Sequence, residues 1–275
     1  MATASLPPII SHDELGDYPD AVLCDCRAYL DEREGIDAYR AGHIPGAIFM
    51  DLETVLSSKP VPGSGGGRHP LPSPEVFTNR LSSAGIEHDT KVVAYDDAGG
   101  AIAGRLVWML RTLGQPAAIL DGGLAAYAGE LETNTPAPIS VPNAARPWPE
   151  AAMATASEVE AHISNGGLVI DCRGPDRYAG LVEPIDPVAG HIPGAVNLPF
   201  AENLADGRFR STAELEARFS EAGVDEDTIY YCGSGVTACH NLLAAEAAGL
   251  GKGKLYVGSW SGWTDRPDPL VATSN

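Results

Sequence analysis

The clearest structural signal in this chain is Tyr230-Tyr231-Cys232-Gly233-Ser234-Gly235-Val236-Thr237-Ala238. An apolar, β-prone run from Thr228 enters this stretch, and a helical pattern continues from Ala238 to Ala248. This order predicts a strand, a tight loop and a helix. A loop in that position directs backbone N–H groups inward at the positive end of a helix dipole. The inward N–H groups and the helix dipole both favour the thiolate form of Cys232. Gly233 and Gly235 let the backbone close around the sulfur.

An internal repeat extends this pattern over nearly the whole chain. An eight-residue pattern occurs at 41–48 (Ala-Gly-His-Ile-Pro-Gly-Ala-Ile) and again at 189–196, where only the last residue differs. An Asp-Cys-Arg motif likewise occurs at 25–27 and at 171–173. In both copies strand-like runs alternate with helical patterns. The chain is therefore predicted to be α/β, with two domains that each contain a parallel-rich sheet flanked by helices.

The two copies differ at the position of the cysteine. Asp96 of the first copy corresponds to Cys232 of the second, and a carboxylate cannot perform sulfur chemistry. A proline-rich segment at 132–152 favours an extended connector between the copies. We therefore predict an inactive domain at 1–131, a linker at 132–152 and a catalytic domain at 153–275.

Two local patterns refine this outline. Ser11 with Glu14, and Thr155 with Glu158, match the capping box and predict short helices. The stretch from Pro60 to Pro72 is rich in glycine and predicts a long, mobile loop within the first copy. Because this loop carries Arg68 and His69, we expect it to cover a site.

Composition limits the classes of partner. The 275 residues carry a formal net charge of −19, which makes nucleic acid and anionic membranes poor partners. No apolar run is long enough to span a bilayer, and the first twenty residues lack the pattern of a secretory signal. Five cysteines, an odd number, do not suggest a disulfide framework, and their spacing predicts no metal site. We therefore expect a cytoplasmic protein.

These motifs together resemble the tandem-domain sulfurtransferases of the rhodanese type. The resemblance spans nearly the whole chain and rests on the paired Gly-His-Ile-Pro-Gly-Ala segments, the Asp-Cys-Arg motifs and the Cys-Gly-Ser-Gly-Val-Thr loop. It implies two rhodanese domains, the first one inactive, and a six-residue loop that binds a persulfide. It also implies no metal and no organic cofactor. In this chain the loop is Cys232 followed by Gly233, Ser234, Gly235, Val236 and Thr237.

The resemblance leaves two sulfur donors open. Loops of the form Cys-Arg-Lys-Gly-Val-Thr accompany thiosulfate, whereas the Gly-Ser-Gly form resembles the 3-mercaptopyruvate type, in which Ser234 would polarise the donor. That type uses two arginines to bind the donor's carboxylate and keto groups. Arg177 matches the first, but the second falls near Asp186, so Arg68 is the candidate substitute. We favour 3-mercaptopyruvate, with thiosulfate as the alternative.

The resemblance gives one recurring residue a role. His43 matches a first-domain histidine that would join Ser234 in a proton relay, as the departing pyruvate enolate requires. Recurrence in both copies favours a structural role, which is the alternative for His43 and the expectation for its twin His191. Arg27 and Arg173 also recur and are expected to pair with carboxylates. Cys239 is expected to pack inside a helix, with a redox role as the alternative.

Two other function classes compete with the sulfurtransferase. A phosphatase loop of the form Cys-x5-Arg would need an arginine where this chain has Ala238, which argues against that class. A non-enzymatic sulfur carrier or interaction module stays possible on sequence grounds. For an enzyme, the expected sulfur acceptors are cyanide, a thiol or a thioredoxin-like protein.

Overall fold

The structure, a computed structural model, describes residues 6–274, and these pack into two units. The first unit comprises the described residues up to Ser57 together with Pro72–Trp148 and Asp206–Phe209. The second comprises Ser58–Leu71, Pro149–Ala205 and the residues from Arg210 onward. The glycine-rich loop of the first copy therefore packs as part of the second unit. The boundaries predicted from the sequence, at 1–131, 132–152 and 153–275, divide the chain by its two sequence copies. They stay a proposal.

The first unit is built on one five-stranded sheet. Its strands are β1 (Ile9–Ile10), β2 (Val22–Asp25), β3 (Ile48–Phe49), β4 (Val92–Tyr95) and β5 (Ala117–Leu120), with a further short strand β10 (Arg208–Phe209). Its helices are α1 (Gly35–Ala41), α2 (Pro74–Ser83) and α3 (Ala103–Thr112), with 3₁₀ turns at Glu14–Asp17 and Gly123–Ala126. The sheet order is β1-β5-β4-β2-β3, and every pairing is parallel.

The second unit repeats this plan. Its strands are β6 (Met153–Ala154), β7 (Val169–Asp171), β8 (Val196–Asn197), β9 (Leu204–Ala205), β11 (Ile229–Tyr231) and β12 (Lys254–Tyr256). Its helices are α4 (Ala156–Ser164), α5 (Pro175–Ala179), α6 (Thr212–Glu221), α7 (Ala238–Ala247) and α8 (Ser259–Thr264), with 3₁₀ turns at Glu150–Ala152 and Phe200–Asn203. The sheet order β6-β12-β11-β7-β8 is the order of the first unit, again all parallel.

The central strands explain why parallel sheets form here. All four residues of β4 and all three of β11 are buried, as expected for strands that are covered by helices on both faces. Each central strand ends in a tyrosine whose hydroxyl accepts a backbone N–H from the repeated His-Ile-Pro segment. Tyr95 accepts from Ile44 at 3.0 Å, and Tyr231 accepts from Ile192 at 3.1 Å. The predicted α/β fold class is confirmed in both copies.

Side-chain caps fix several helix starts. Thr155 and Glu158 form the predicted reciprocal capping box at the start of α4. Ser11 and Glu14 exchange the same kind of hydrogen bonds, but only a 3₁₀ turn follows them.

None of the helices within residues 6–274 combines the length and the apolar composition that a membrane crossing requires.

The loop after β4 gathers backbone amides around one carboxylate. Oδ1 of Asp96 accepts the N–H groups of Ala98 and Gly100, each at 2.8 Å. Oδ2 accepts those of Ile102 at 2.8 Å and Ala103 at 2.9 Å. Asp96 is only 1% exposed, and burial raises the pKa of its carboxyl, an effect that these four hydrogen bonds oppose in part. The strand–loop–helix unit of this fold can therefore direct four amides of one short segment at a carboxylate.

We predict that Asp96→Ala destabilises the first unit. The substitution leaves four buried N–H groups without their charged acceptor, and we expect the free energy of unfolding to fall by about 4 kcal/mol. Asp97→Ala is the matched control, because the Asp97 carboxylate bonds to Tyr29 in an exposed setting. Urea unfolding of both variants measures the difference. Equal stability of the two would contradict the structural role given to Asp96.

Candidate active site

The loop of Cys232 connects β11 to α7 and is fixed by α8. The N–H of Cys232 donates to Oγ of Ser259 at 3.1 Å. The carbonyl groups of Cys232 and Gly233 accept the N–H groups of Trp260 and Ser261, each at 2.9 Å. The loop backbone is therefore bound to the first turn of α8, and Cys232 is 2% exposed.

These carbonyl contacts also orient the loop amides. In a trans peptide the C=O and the following N–H point in opposite directions. Because the carbonyls of Cys232 and Gly233 face α8, the N–H groups of Gly233 and Ser234 face away from it. Gly235 has φ of 78°, a value that favours glycine, and it turns the loop. The loop thus repeats the strand–loop–helix arrangement seen around Asp96, with a sulfur in place of the carboxylate.

The rest of the loop leads into the helix. Val236 is 4% exposed, and Thr237 is the residue immediately before α7. Their carbonyls accept the N–H groups of Cys239 and His240 at 3.1 Å and 3.2 Å. Cys239 is fully buried, and its thiol donates to the Gly235 carbonyl, with the two atoms 3.4 Å apart. Packing inside the helix, the role expected for Cys239, is confirmed.

The glycine-rich stretch Ser58–Leu71 does not behave as the sequence suggested. The sequence predicts a mobile loop, but this stretch packs closely within the second unit. A Cβ added to Gly67, which has φ of 71°, would lie 2.3 Å from the Gly258 carbonyl oxygen. The N–H of Arg68 donates to Oγ of Ser261 at 3.0 Å. Backbone-to-backbone contact of this kind requires glycine, and it fixes the position of the two residues that follow.

The histidine that contacts Ser234 is His69. Nδ1 of His69 lies 2.7 Å from Oγ of Ser234, which is 7% exposed. On sequence grounds His69 was expected only on the covering loop, and the relay was expected at His43. One signal in the sequence distinguishes the two. His43 has a twin in the second copy, His191, whereas residues 198–210 of the second copy, which precede Ser211 as His69 precedes Ser73, contain no histidine.

His43 has the contacts of a structural residue. Its Nδ1 lies 2.8 Å from the Tyr39 carbonyl oxygen, its ring stacks on Tyr39 at 3.9 Å, and it is 0% exposed. His191 has the same arrangement with Tyr178, at 2.7 Å and 3.7 Å. A geometry shared by both copies supports packing, as expected for His191. It gives no support to the relay predicted for His43, and we transfer that role to His69 below.

Two arginines lie beside the loop. A Cβ added to Gly233 would be 3.1 Å from Nη2 of Arg68 and 3.4 Å from Nη1 of Arg177. Arg177 forms ion pairs with Glu183 at 2.7 Å and with Asp186 at 3.2 Å, and Arg68 pairs with the other oxygen of Asp186. Asp186 therefore connects the two guanidiniums. The structure thus brings Arg68, Arg177, Ser234 and the cysteine loop together in one unit.

The two carboxylates of this cluster titrate differently. Burial raises the pKa of Asp186, and the nearby Arg68 and Arg177 only partly oppose this effect. Burial also acts on Glu183, but hydrogen bonds from Arg177 and from backbone N–H groups hold its pKa below the usual value. Arg68 and Asp186 also line a cavity of about 310 Å³.

The Asp-Cys-Arg motifs are structural in both copies. Arg27 makes a bidentate ion pair with Asp25 and donates to the Gly42 carbonyl. Arg173 does the same with Asp171 and the Gly190 carbonyl. The expected pairing of these arginines with carboxylates is confirmed. All five cysteines are buried free thiols.

Comparison with known proteins agrees with this geometry. A model of the rhodanese-like domain matches residues 11–130 and again residues 155–266. The chain belongs to the rhodanese family. A Pseudomonas aeruginosa protein that carries the name "Probable 3-mercaptopyruvate sulfurtransferase" is 45% identical over 94% of each chain. The thiosulfate sulfurtransferase of Rattus norvegicus is 34% identical over 88% of this chain and 84% of its own.

A solved structure from Escherichia coli, described as a 3-mercaptopyruvate sulfotransferase, superposes with a TM-score of 0.79 and 32% identity. The superposition covers 93% of this chain and 99% of that one. The resemblance to tandem-domain rhodaneses, and the fold that it implies, are confirmed. Both types of named relative belong to the sulfurtransferases.

We predict that Gly67→Ala releases the loop of this rhodanese. The new Cβ would collide with the Gly258 carbonyl, so Ser58–Leu71 should become more accessible to proteases and turnover should fall. Gly63→Ala is the matched control. Gly63 has φ of 74°, but apart from its chain neighbours no described atom lies within 4 Å of the added Cβ. Limited proteolysis should distinguish the variants, and equal cleavage rates would show that this contact does not hold the loop.

Proposed function

We propose that this rhodanese is a sulfurtransferase that carries sulfur on Cys232, with 3-mercaptopyruvate as the favoured donor. One observation supports it above the others. Cys232 occupies the loop whose counterpart in the first unit binds an anion through four backbone amides. A persulfide is also an anion at this position. The names of the relatives agree with this activity and with both candidate donors.

The first half of the reaction forms the persulfide. The Cys232 thiolate attacks the thiol sulfur of 3-mercaptopyruvate, an S–S bond forms, and the C–S bond breaks. The electron pair of the C–S bond leaves with the pyruvate enolate, which takes up a proton and becomes pyruvate. The amides of the loop from Gly233 to Thr237 would stabilise the negative sulfur, and Arg68 and Arg177 would bind the donor's carboxylate.

The second half releases the sulfur. A nucleophile such as cyanide or a thiol attacks the outer sulfur, the S–S bond breaks, and Cys232 returns to the thiolate. Donor and acceptor thus react in turn with one covalent intermediate, which is ping-pong catalysis. This sequence needs no metal or organic cofactor. A thioredoxin-like protein is a further candidate acceptor, and we propose a cytoplasmic location, where free thiols persist.

The pair of Ser234 and His69 favours 3-mercaptopyruvate over thiosulfate. When 3-mercaptopyruvate gives up its sulfur, the leaving group is an enolate that needs a proton. When thiosulfate gives up its sulfur, the leaving group is sulfite. The Ser234 hydroxyl, 2.7 Å from the His69 ring, is placed to pass a proton between the solvent side and the leaving group. Thiosulfate as the main donor is the second candidate, and the named rat relative supports it.

The central test is turnover of both donors with cyanide as acceptor. We expect wild-type protein to produce thiocyanate from 3-mercaptopyruvate faster than from thiosulfate. Cys232→Ser should abolish both reactions while the protein stays folded, because the oxygen cannot carry the sulfur. Cys239→Ser, a buried thiol seven residues away along the chain, is the matched control and should retain turnover. Activity that persists in Cys232→Ser would refute the proposal, and faster thiosulfate turnover would reverse the order of donors.

The proton relay has a separate test. We predict that Ser234→Ala and His69→Gln each lower kcat for 3-mercaptopyruvate by about a hundredfold. Thiosulfate turnover should fall much less, because sulfite needs no proton to leave. His43→Gln is the comparison variant, and its effect should appear in thermal stability and not in donor preference. Equal losses for both donors in Ser234→Ala would mean that the serine only shapes the loop.

A further inference from the structure

Asp186 lies near the position where the resemblance implies a second donor-binding arginine. Its side chain is 3% exposed, and its two oxygens contact two different guanidiniums. Oδ1 pairs with Arg68, and Oδ2 lies 3.2 Å from Nη2 of Arg177. An acidic residue thus lies between the two cations that the donor must use.

This carboxylate closes a larger charge network. Glu183 pairs with both Arg173 and Arg177, and Arg173 pairs with Asp171. The ion pairs therefore join three guanidiniums and three carboxylates, and their formal charges cancel. The two arginines lie beside Gly233, but the cluster around them is not strongly positive.

Such a cluster should bind donors of different charge with different affinities. At neutral pH 3-mercaptopyruvate carries one negative charge on its carboxylate, whereas thiosulfate carries two. Coulomb repulsion from a fixed carboxylate is proportional to the charge of the approaching ion, so the dianion experiences twice the penalty. Because the site is largely buried, solvent screens this difference only in part.

We propose that Asp186 is a specificity-determining residue that makes the Arg68–Arg177 pair selective for a monoanionic donor over a dianionic one. It also positions Arg68, because this side chain is 31% exposed on a loop and Asp186 supplies its ion pair. The inference rests on the proposed sulfurtransferase function and explains how a site with two arginines favours a keto acid. Asp186 thus replaces an arginine of the pattern, and Arg68 supplies the missing cation.

The first test compares donor preference in three proteins. Asp186→Asn removes the charge with little change of shape, and it should raise the ratio of kcat/KM for thiosulfate to that for 3-mercaptopyruvate by about tenfold. Asp186→Glu keeps the charge and should leave the ratio within about twofold of wild type. If Asp186 had a purely structural role, Asp186→Asn would lower kcat/KM for both donors by the same factor. An unchanged ratio in Asp186→Asn would overturn the inference.

The second test does not depend on turnover. In the Cys232→Ser background, binding of sulfate (a dianion) and pyruvate (a monoanion) is measured by calorimetry, with and without the additional substitution Asp186→Asn. That substitution should strengthen sulfate binding about tenfold relative to pyruvate binding. This result would stand even if the proposed activity failed. Equal changes for the two anions would contradict the selective role of Asp186.

Discussion

Backbone amides that converge on one anion, at the carboxyl end of a central parallel strand, are the constraint on which this structure depends. The strand delivers the first residue of the loop, and the following helix places its first N–H groups around that residue. In the first unit Asp96 supplies the anion and receives four hydrogen bonds. In the second unit the same position holds Cys232, for which we propose the catalytic role.

The second unit adds two features to this architecture, namely contacts from α8 to the cysteine loop and the stretch Ser58–Leu71. The first turn of α8 binds the carbonyls of the cysteine loop and so turns its amides toward the other side. The stretch Ser58–Leu71 supplies a cation and an imidazole, and Gly67 allows its close approach to Gly258. His69, Arg68 and Arg177 therefore lie beside a loop that contains Cys232 and Ser234 but no arginine or histidine of its own. The cations proposed to bind the donor thus come from outside the loop of the proposed nucleophile.

Much of this organisation can be predicted from the sequence because the signals are local. The repeat, the Asp-Cys-Arg ion pairs and the strand–loop–helix around Cys232 each follow from neighbouring residues and from their recurrence. The partner of Ser234 does not, because His69 lies 165 positions away and reaches it only through the packing of a loop. The composition of that loop suggested mobility, whereas its glycines serve close backbone contact. The role proposed for Asp186 could not be predicted either, since the sequence does not show its salt bridges to Arg68 and Arg177.

If Cys232 alone carries the transferred sulfur, treatment of the protein with 3-mercaptopyruvate in the absence of an acceptor should add the mass of one sulfur atom. In mass spectrometry, fragment ions should locate that mass on Cys232 and not on Cys239 or Cys172, and cyanide should remove it. Sulfur on another cysteine, or no added mass despite turnover, would mean that Cys232 is not the sulfur carrier.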